Sequence, residues 1–189
     1  MEPIQGNVSI DAQNIMPIIK KWLYSDKDIF IREVVSNGCD AITKLRMVDS
    51  AAAQNCSIHV EVDKAARELR FTDDGIGMTE DEVKTNINQV AFSGAKSFME
   101  EYAKNEDKEN SGIIGHFGLG FYSVFMIADK VTIDTLSFRE GATPVRWESE
   151  DGMAFTMTEG TRTTRGTTIT LHVSEAESEF LEQWRVREV

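Results

Sequence analysis

The stretch from Ile29 to Arg46, IFIREVVSNGCDAITKLR, most constrains what this chain can fold into. At about 100° per residue a helix here gathers Glu33, Asn37, Asp40 and Lys44 within an arc of about 60°. Phe30, Val34, Val35, Cys39, Ala41, Ile42 and Leu45 take the opposite side. Such a helix is a wall, with a hydrophobic core on one side and a polar stripe on the other. An isolated stripe of this kind is ordinarily a solvent-facing surface. The rest of the chain gives it a different neighbour.

At 189 residues and 41% hydrophobic content the chain can bury a real core, and residues 1–189 are read as one domain. The two cysteines, Cys39 and Cys56, and the three histidines, His59, His116 and His172, have no metal-ligand spacing. Two unpaired cysteines read as small hydrophobes in a reducing compartment. The first eleven residues lack a cationic run followed by an apolar one, and no run of ~18 apolar residues occurs, so no signal peptide or membrane span is expected. The protein is expected to be cytoplasmic. A net charge of −12 argues against nucleic-acid or anionic-membrane partners, so an anionic ligand would need backbone amides or a metal ion to hold it.

Asp11 as N-cap and Ile15, Ile18, Ile19, Trp22 and Leu23 at helical spacing predict a helix over 12–23. Residues 6–10 before it are either a short strand or an arm. Residues 57–63 and 68–73 alternate as an antiparallel hairpin, and 80–92 return to a helical pattern through Val83, Ile87, Val90 and Ala91. The charged stretch 93–112 reads as a helix-and-loop cover. From Lys130 four strand-like runs suggest a meandering antiparallel sheet, and residues 174–189 read as one capped helix whose Phe180, Leu181 and Trp184 need a partner. The abrupt stop of that helix suggests one domain of a longer protein.

Two segments carry chemistry. Gly112, Gly115, Gly118 and Gly120 lie in GIIGHFGLGFYSVFMIA, a glycine-rich loop leading into an apolar helix, where bare backbone can approach a phosphate. Tight packing in a flexible turn is the equal alternative for such a loop alone. Neither G-x-x-x-x-G-K-[ST] nor a strand-borne G-x-G-x-x-G is present. DDGIGM places Asp73 at a strand end, with Gly75 and Gly77 to turn the chain. A buried carboxylate there can accept from the exocyclic amine of adenine and would reject the carbonyl that guanine presents in its place. An Asp-Gly hairpin turn is the alternative, common for the dipeptide and less so for the whole hexapeptide.

Taken together and in this order, REVVSNGCDAITKLR, FTDDGIGM, GHFGLGFYS and RGTTITLHV closely resemble the N-terminal ATP-binding domain of the Hsp90 chaperones in their bacterial form. These lie in the wider group that includes DNA gyrase B, MutL and histidine kinases. The likeness runs over nearly the whole chain. It implies an α+β, two-layer sandwich of the Bergerat or GHKL type: a mixed, largely antiparallel sheet of about eight strands, with helices on one face enclosing the nucleotide pocket.

The resemblance also implies roles. Glu33 would be the general base, and the amide oxygen of Asn37 would bind Mg²⁺ together with the nucleotide phosphates. Asp73 would hold the adenine amine, with Thr167 supporting that end through its hydroxyl. Met78 would pack near the base, Asn86 would lie toward the sugar and phosphates, and Gly115, Gly118, Gly120 and Phe121 would wrap the phosphates. Arg32 and Lys44 either tune Glu33 or form surface ion pairs. Residues 93–120 would be the lid, whose closure over ATP lets the N-terminal strand exchange between protomers.

Departures from the family pattern are few. Gln89 and Phe92 stand where many relatives carry a threonine and a lysine, leaving Lys96 to offer a lysine contact. Gly38 and Cys39 replace the usual Ala-Ser, with Cys39 expected to face the core.

The function implied is an ATPase domain of a chaperone that acts on protein clients and is a homodimer at full length. The resemblance also implies that a catalytic arginine comes from a following domain, so turnover by the domain alone should be weak. Two other readings stand beside it: a histidine-kinase-type catalytic domain, against which the acid at Glu33 argues, and a nucleotide-sensing module that does not hydrolyse.

Overall fold

The computed structural model describes residues 4–7, 27–89 and 120–189. The expected helix over 12–23, residues 90–92 of the expected helix over 80–92, the lid up to residue 119, Gly112, Gly115, Gly118 and Lys96 lie outside them.

Seven strands form one sheet: β1 (Ile4–Asn7), β2 (Ile58–Asp63), β3 (Glu68–Asp73), β4 (Ala128–Leu136), β5 (Val145–Ser149), β6 (Ala154–Glu159) and β7 (Gly166–Val173). Their spatial order is β1-β6-β5-β4-β7-β3-β2, and each pairing is antiparallel. This is one strand fewer than the approximate expectation, with no parallel pair among the described residues. The meander holds for β4 to β6 only. β7 then crosses back to lie between β4 and β3, which makes β4 and β7 the central strands. The segment left open between strand and arm is resolved in part, since Ile4–Asn7 pairs with β6 at the sheet edge.

Register explains the core. Residues directly opposite on neighbouring strands share a face, so Leu69, Leu171 and Val131 form one row and Phe71, Ile169, Ile133, Trp147 and Met157 the next. All are buried. The following row toward the end of β3 is Asp73, Thr167, Thr135 and Val145. Three polar side chains therefore replace aliphatic ones on the inward face at one end of the sheet.

Helix α1 (Ile29–Val48) covers that inward face, lying against β3 and a 3-10 helix over Gly120–Met126. Its buried residues are Phe30, Ile31, Val34, Gly38 and Leu45. On a helical wheel these centre about 110° from the Glu33–Lys44 stripe rather than opposite it. This displacement explains one error in the sequence reading. Cys39, expected to face the core, falls about 120° from the buried centre and is exposed, whereas Ala41 sits between stripe and core.

Three further segments differ from expectation. The helix over 80–92 is an α-helical turn, α2 (Glu80–Val83), that widens into a π-helical stretch over Lys84–Gln89. A capping box starts it: Thr79 Oγ1 accepts from Glu82 N–H, and the Glu82 carboxylate accepts from Thr79 N–H at 2.8 Å. The apolar helix after the glycine loop is the 3-10 segment Gly120–Met126, with Gly120 to Phe125 all buried. A stretch enclosed on every side has no solvent face to give it helical periodicity.

The single C-terminal helix is two pieces, a 3-10 segment over Glu175–Leu181 and α3 (Gln183–Arg187). Glu177 leaves helical geometry (φ −112, ψ 24) and pairs with Lys27. Phe180 and Leu181 find their partner in the core, Phe180 meeting Phe30 edge-on at 5.1 Å. Arg185 binds both oxygens of Asp28 and lies over the Phe180 ring. Trp184 stays exposed. No helix among the described residues is long and apolar enough to cross a membrane.

Candidate functional site

A cavity of about 620 Å³ lies between the polar stripe of α1 and the polar row at the sheet end. All four stripe residues, Glu33, Asn37, Asp40 and Lys44, line it. So do Asp73, Met78, Asn86, Gly120, Phe121 and Thr167. The structure thus brings together every predicted site residue that it describes. Asp40 and Lys44, which from the sequence could either belong to the pocket or only support it, line the wall. Arg32 is exposed and outside the lining.

One end of the cavity is built around Asp73. Its side chain is 8% exposed, and Oδ1 accepts from Gly75 N–H at 2.9 Å. Burial pushes its pKa up to about 6, against the opposing pull of the Gly75 N–H and the Arg162 guanidinium. The loop after it is held on both sides. Ile76 N–H donates to Ala41 O of α1 at 3.1 Å, and Ile76 O accepts from Phe138 N–H at 2.9 Å. Gly77 has φ +63, and a Cβ there would collide with Leu136 O, so glycine is required for the chain to pass. Gly166, in RGT, likewise has φ +121, and a Cβ would strike Asp73 O. The close approach of these two strands sets Thr167 beside Asp73.

The other end is built around Glu33. Burial raises its pKa, and that burial, rather than a neighbouring charge from Arg32 or Lys44, is the cause. The Gly120 backbone abuts the carboxylate so closely that a Cβ would overlap Glu33 Oε2. Behind Gly120, Tyr122 donates to Ile87 O at 2.9 Å, tying the 3-10 segment to the π-helical one that carries Asn86. Trp147 Nε1 donates to Asn88 Oδ1 at 3.2 Å. The floor between the two ends is apolar: Phe71, Ile133 and Ile169 from three adjacent strands.

The sequence reading missed Thr135. Its hydroxyl is wholly buried and in contact with three groups: Met78 N–H at 3.0 Å, Gly166 O at 3.1 Å and Thr167 Oγ1 at 2.9 Å. The signal was a threonine at the inward position of the Val131–Ile133–Thr135 alternation, which carries meaning only once register sets it beside Thr167. Asp134, on the outward face, was also missed. Its carboxylate accepts the backbone N–H groups of Thr161 and Arg162 and so anchors the loop leading to Gly166.

An apolar floor with a buried carboxylate at one end and an acid and an amide at the other suits an apolar-faced base joined to a charged tail. Residues 29–151 match the model of the histidine kinase-, DNA gyrase B- and HSP90-like ATPases, and the chain belongs to that family. Within it the chain is similar to the chaperone protein HtpG of Bacteroides thetaiotaomicron, 45% identical over 190 residues that cover 98% of this chain and 27% of that one. It is also similar to the HtpG proteins of Porphyromonas gingivalis (44% identical, 96% and 27% covered) and Cupriavidus taiwanensis (41% identical, 95% and 29% covered). The chain spans a little over a quarter of the length of these relatives.

Proposed function

We propose that this chain is the ATP-binding and ATP-hydrolysing domain of an Hsp90-type chaperone, in which lid closure and dimerisation act on protein clients. The observation that carries the reading is the polarity of the cavity: a buried acceptor, Asp73, across an apolar floor from a desolvated acid, Glu33. Asp73 holds the adenine amine with Thr167 beside it, and Met78 lies against the base. Asn86 lies toward the sugar and phosphates, and Gly120 and Phe121, with Gly115 and Gly118 of the same loop, wrap the phosphates.

The amide oxygen of Asn37 and the nearby carboxylates of the same face are hard oxygen donors, the chemistry that suits Mg²⁺ arriving with nucleotide phosphates. Among the described residues no group of three or more His, Cys, Asp or Glu forms a metal cage of its own, so phosphate and water oxygens would complete the shell. Once bound, the ion supplies positive charge at the phosphates that a chain of net charge −12 otherwise lacks.

Glu33 does the proton chemistry. Burial weakens the solvation of its carboxylate and raises its basicity, so an oxygen of Glu33 can take the proton of a water as that water's oxygen forms a bond to the terminal phosphorus. The bond to the leaving ADP oxygen breaks, and the products are ADP and phosphate. The direct test is calorimetry with Mg²⁺ and ADP or ATP. Binding is expected in the parent chain and lost in Asp73→Asn, and retained affinity would overturn the adenine assignment. In the full-length protein Glu33→Ala should abolish hydrolysis and leave binding within a few-fold, and equal turnover would remove the general-base role.

A further inference from the structure

The hydroxyl of Thr135 has one proton and two lone pairs to satisfy its three neighbours. Met78 N–H is only a donor and Gly166 O only an acceptor, so Met78 takes one lone pair and Gly166 takes the proton. The contact with Thr167 Oγ1 must then use the remaining lone pair of Thr135, with Thr167 as the donor. This is the one arrangement in which all three contacts are hydrogen bonds at once. Thr167 thereby spends its proton inside the sheet and turns only lone pairs toward the cavity, beside the carboxylate of Asp73.

From this geometry we propose that Thr135, although out of reach of any ligand, is a specificity-determining positioning residue. Its hydroxyl fixes Thr167 as an acceptor, so that the end wall of the cavity accepts and never donates. The proposal rests on the adenine reading and adds a source of selectivity to it. A base with an amino group at that wall is matched by Asp73 and Thr167 together, whereas a base with a carbonyl oxygen there meets two acceptors. Were the Thr135 hydroxyl absent, Thr167 would be free to rotate and donate, and the wall would lose its single polarity. Thr135 also fixes the loop at Met78, so one buried oxygen couples the base-binding wall to the segment that lies against the base.

The test compares ADP with inosine diphosphate, which carries a carbonyl oxygen in place of the amine, by calorimetry with Mg²⁺. The parent chain is expected to prefer ADP. Thr135→Val should lower the ratio of the two dissociation constants by roughly tenfold, the size of one buried hydrogen bond that changes sign. Thr135→Ser, which keeps the hydroxyl, should hold the ratio near the parent value. Thr135→Cys gives the same comparison as valine if the valine variant does not fold, because a thiol is a poor donor and acceptor.

Because Thr135 acts through Thr167, substituting it in a Thr167→Val background should leave the ratio unmoved. Loss of affinity for both nucleotides with the ratio unchanged marks a merely structural role and overturns the proposal, as does an equal fall in the serine variant. A parent chain that fails to prefer ADP overturns the adenine reading itself.

Discussion

Asp73→Asn should make the nucleotide-free domain more stable while destroying its proposed function. Burial lifts the Asp73 carboxyl from its usual 3.8 to about 6. The native state therefore binds a proton more tightly than the unfolded chain, and stability falls as pH rises through the window between those values. At about 1.4 kcal/mol per tenfold in proton affinity, holding the carboxylate ionised in the fold costs roughly 3 kcal/mol well above pH 6. That figure is net of the Gly75 N–H bond and the Arg162 charge, which already act on the folded carboxyl.

An asparagine is neutral at every pH, and its Oδ1 can keep the Gly75 bond. The variant should thus exceed the parent by roughly 3 kcal/mol at about pH 8 and by roughly 1 kcal/mol at about pH 4.5. Guanidinium unfolding of both proteins at the two pH values reads this difference directly, and other carboxylates cancel in the comparison. A variant less stable than the parent at about pH 8, or an advantage independent of pH, would refute the assignment of burial as the cause.

Two other substitutions follow from the glycines. Gly38 sits inside α1 with ordinary helical backbone, and an added Cβ would meet the Ile58 side chain, Cδ1 at 2.9 Å and Cγ1 at 3.3 Å, which can move, with Asp73 Cβ in ordinary contact at 3.5 Å. Gly38→Ala should raise stability by roughly 0.5–1 kcal/mol through helix propensity, seen as an increased Tm, and a lower Tm would show that Ile58 cannot give way. Gly120→Ala, by contrast, forces the Glu33 carboxylate aside. It should reduce ATP turnover of the full-length protein at least tenfold, by more than it weakens ADP binding at the same phosphate-wrapping position, because the general base is misplaced. Unchanged turnover would show that Glu33 does not act from its present position.

The parts of this molecule legible from sequence are those fixed by local pattern. The Glu33 to Lys44 stripe, the hairpin of β2 and β3, and the glycines that let DDGIGM turn were all readable, because each depends on neighbours a few residues away. Thr135 was not, since its meaning comes from Thr167, 32 residues on. The crossover of β7 that makes this pair was hidden for the same reason: four runs of alternating residues look alike whether the last one follows the third or returns to the first. Periodicity failed where burial was complete or was overridden by a long-range contact. Gly120 to Phe125 are all buried, and residues 174–189 bend at Glu177, which pairs with Lys27. Cys39 was misplaced because a helix between a sheet and a cavity has its polar stripe at the flank of the buried face, not behind it.

The contacts of the C-terminal segment with the start of α1 define a load path. Glu177 holds Lys27, Arg185 holds Asp28, and Phe180 meets Phe30, which in turn meets Phe71 edge-on at 6.5 Å. Phe30 lies three residues ahead of Glu33, and Phe71 lies two residues ahead of Asp73. A pull or twist applied to α3 therefore reaches the start of α1 through the Arg185–Asp28 pair and the Phe180–Phe30 contact, and passes from Phe30 to Phe71 of β3. Strain entering there would act on the span between the acid that faces the tail of a ligand, on α1, and the acid that faces its base, on β3.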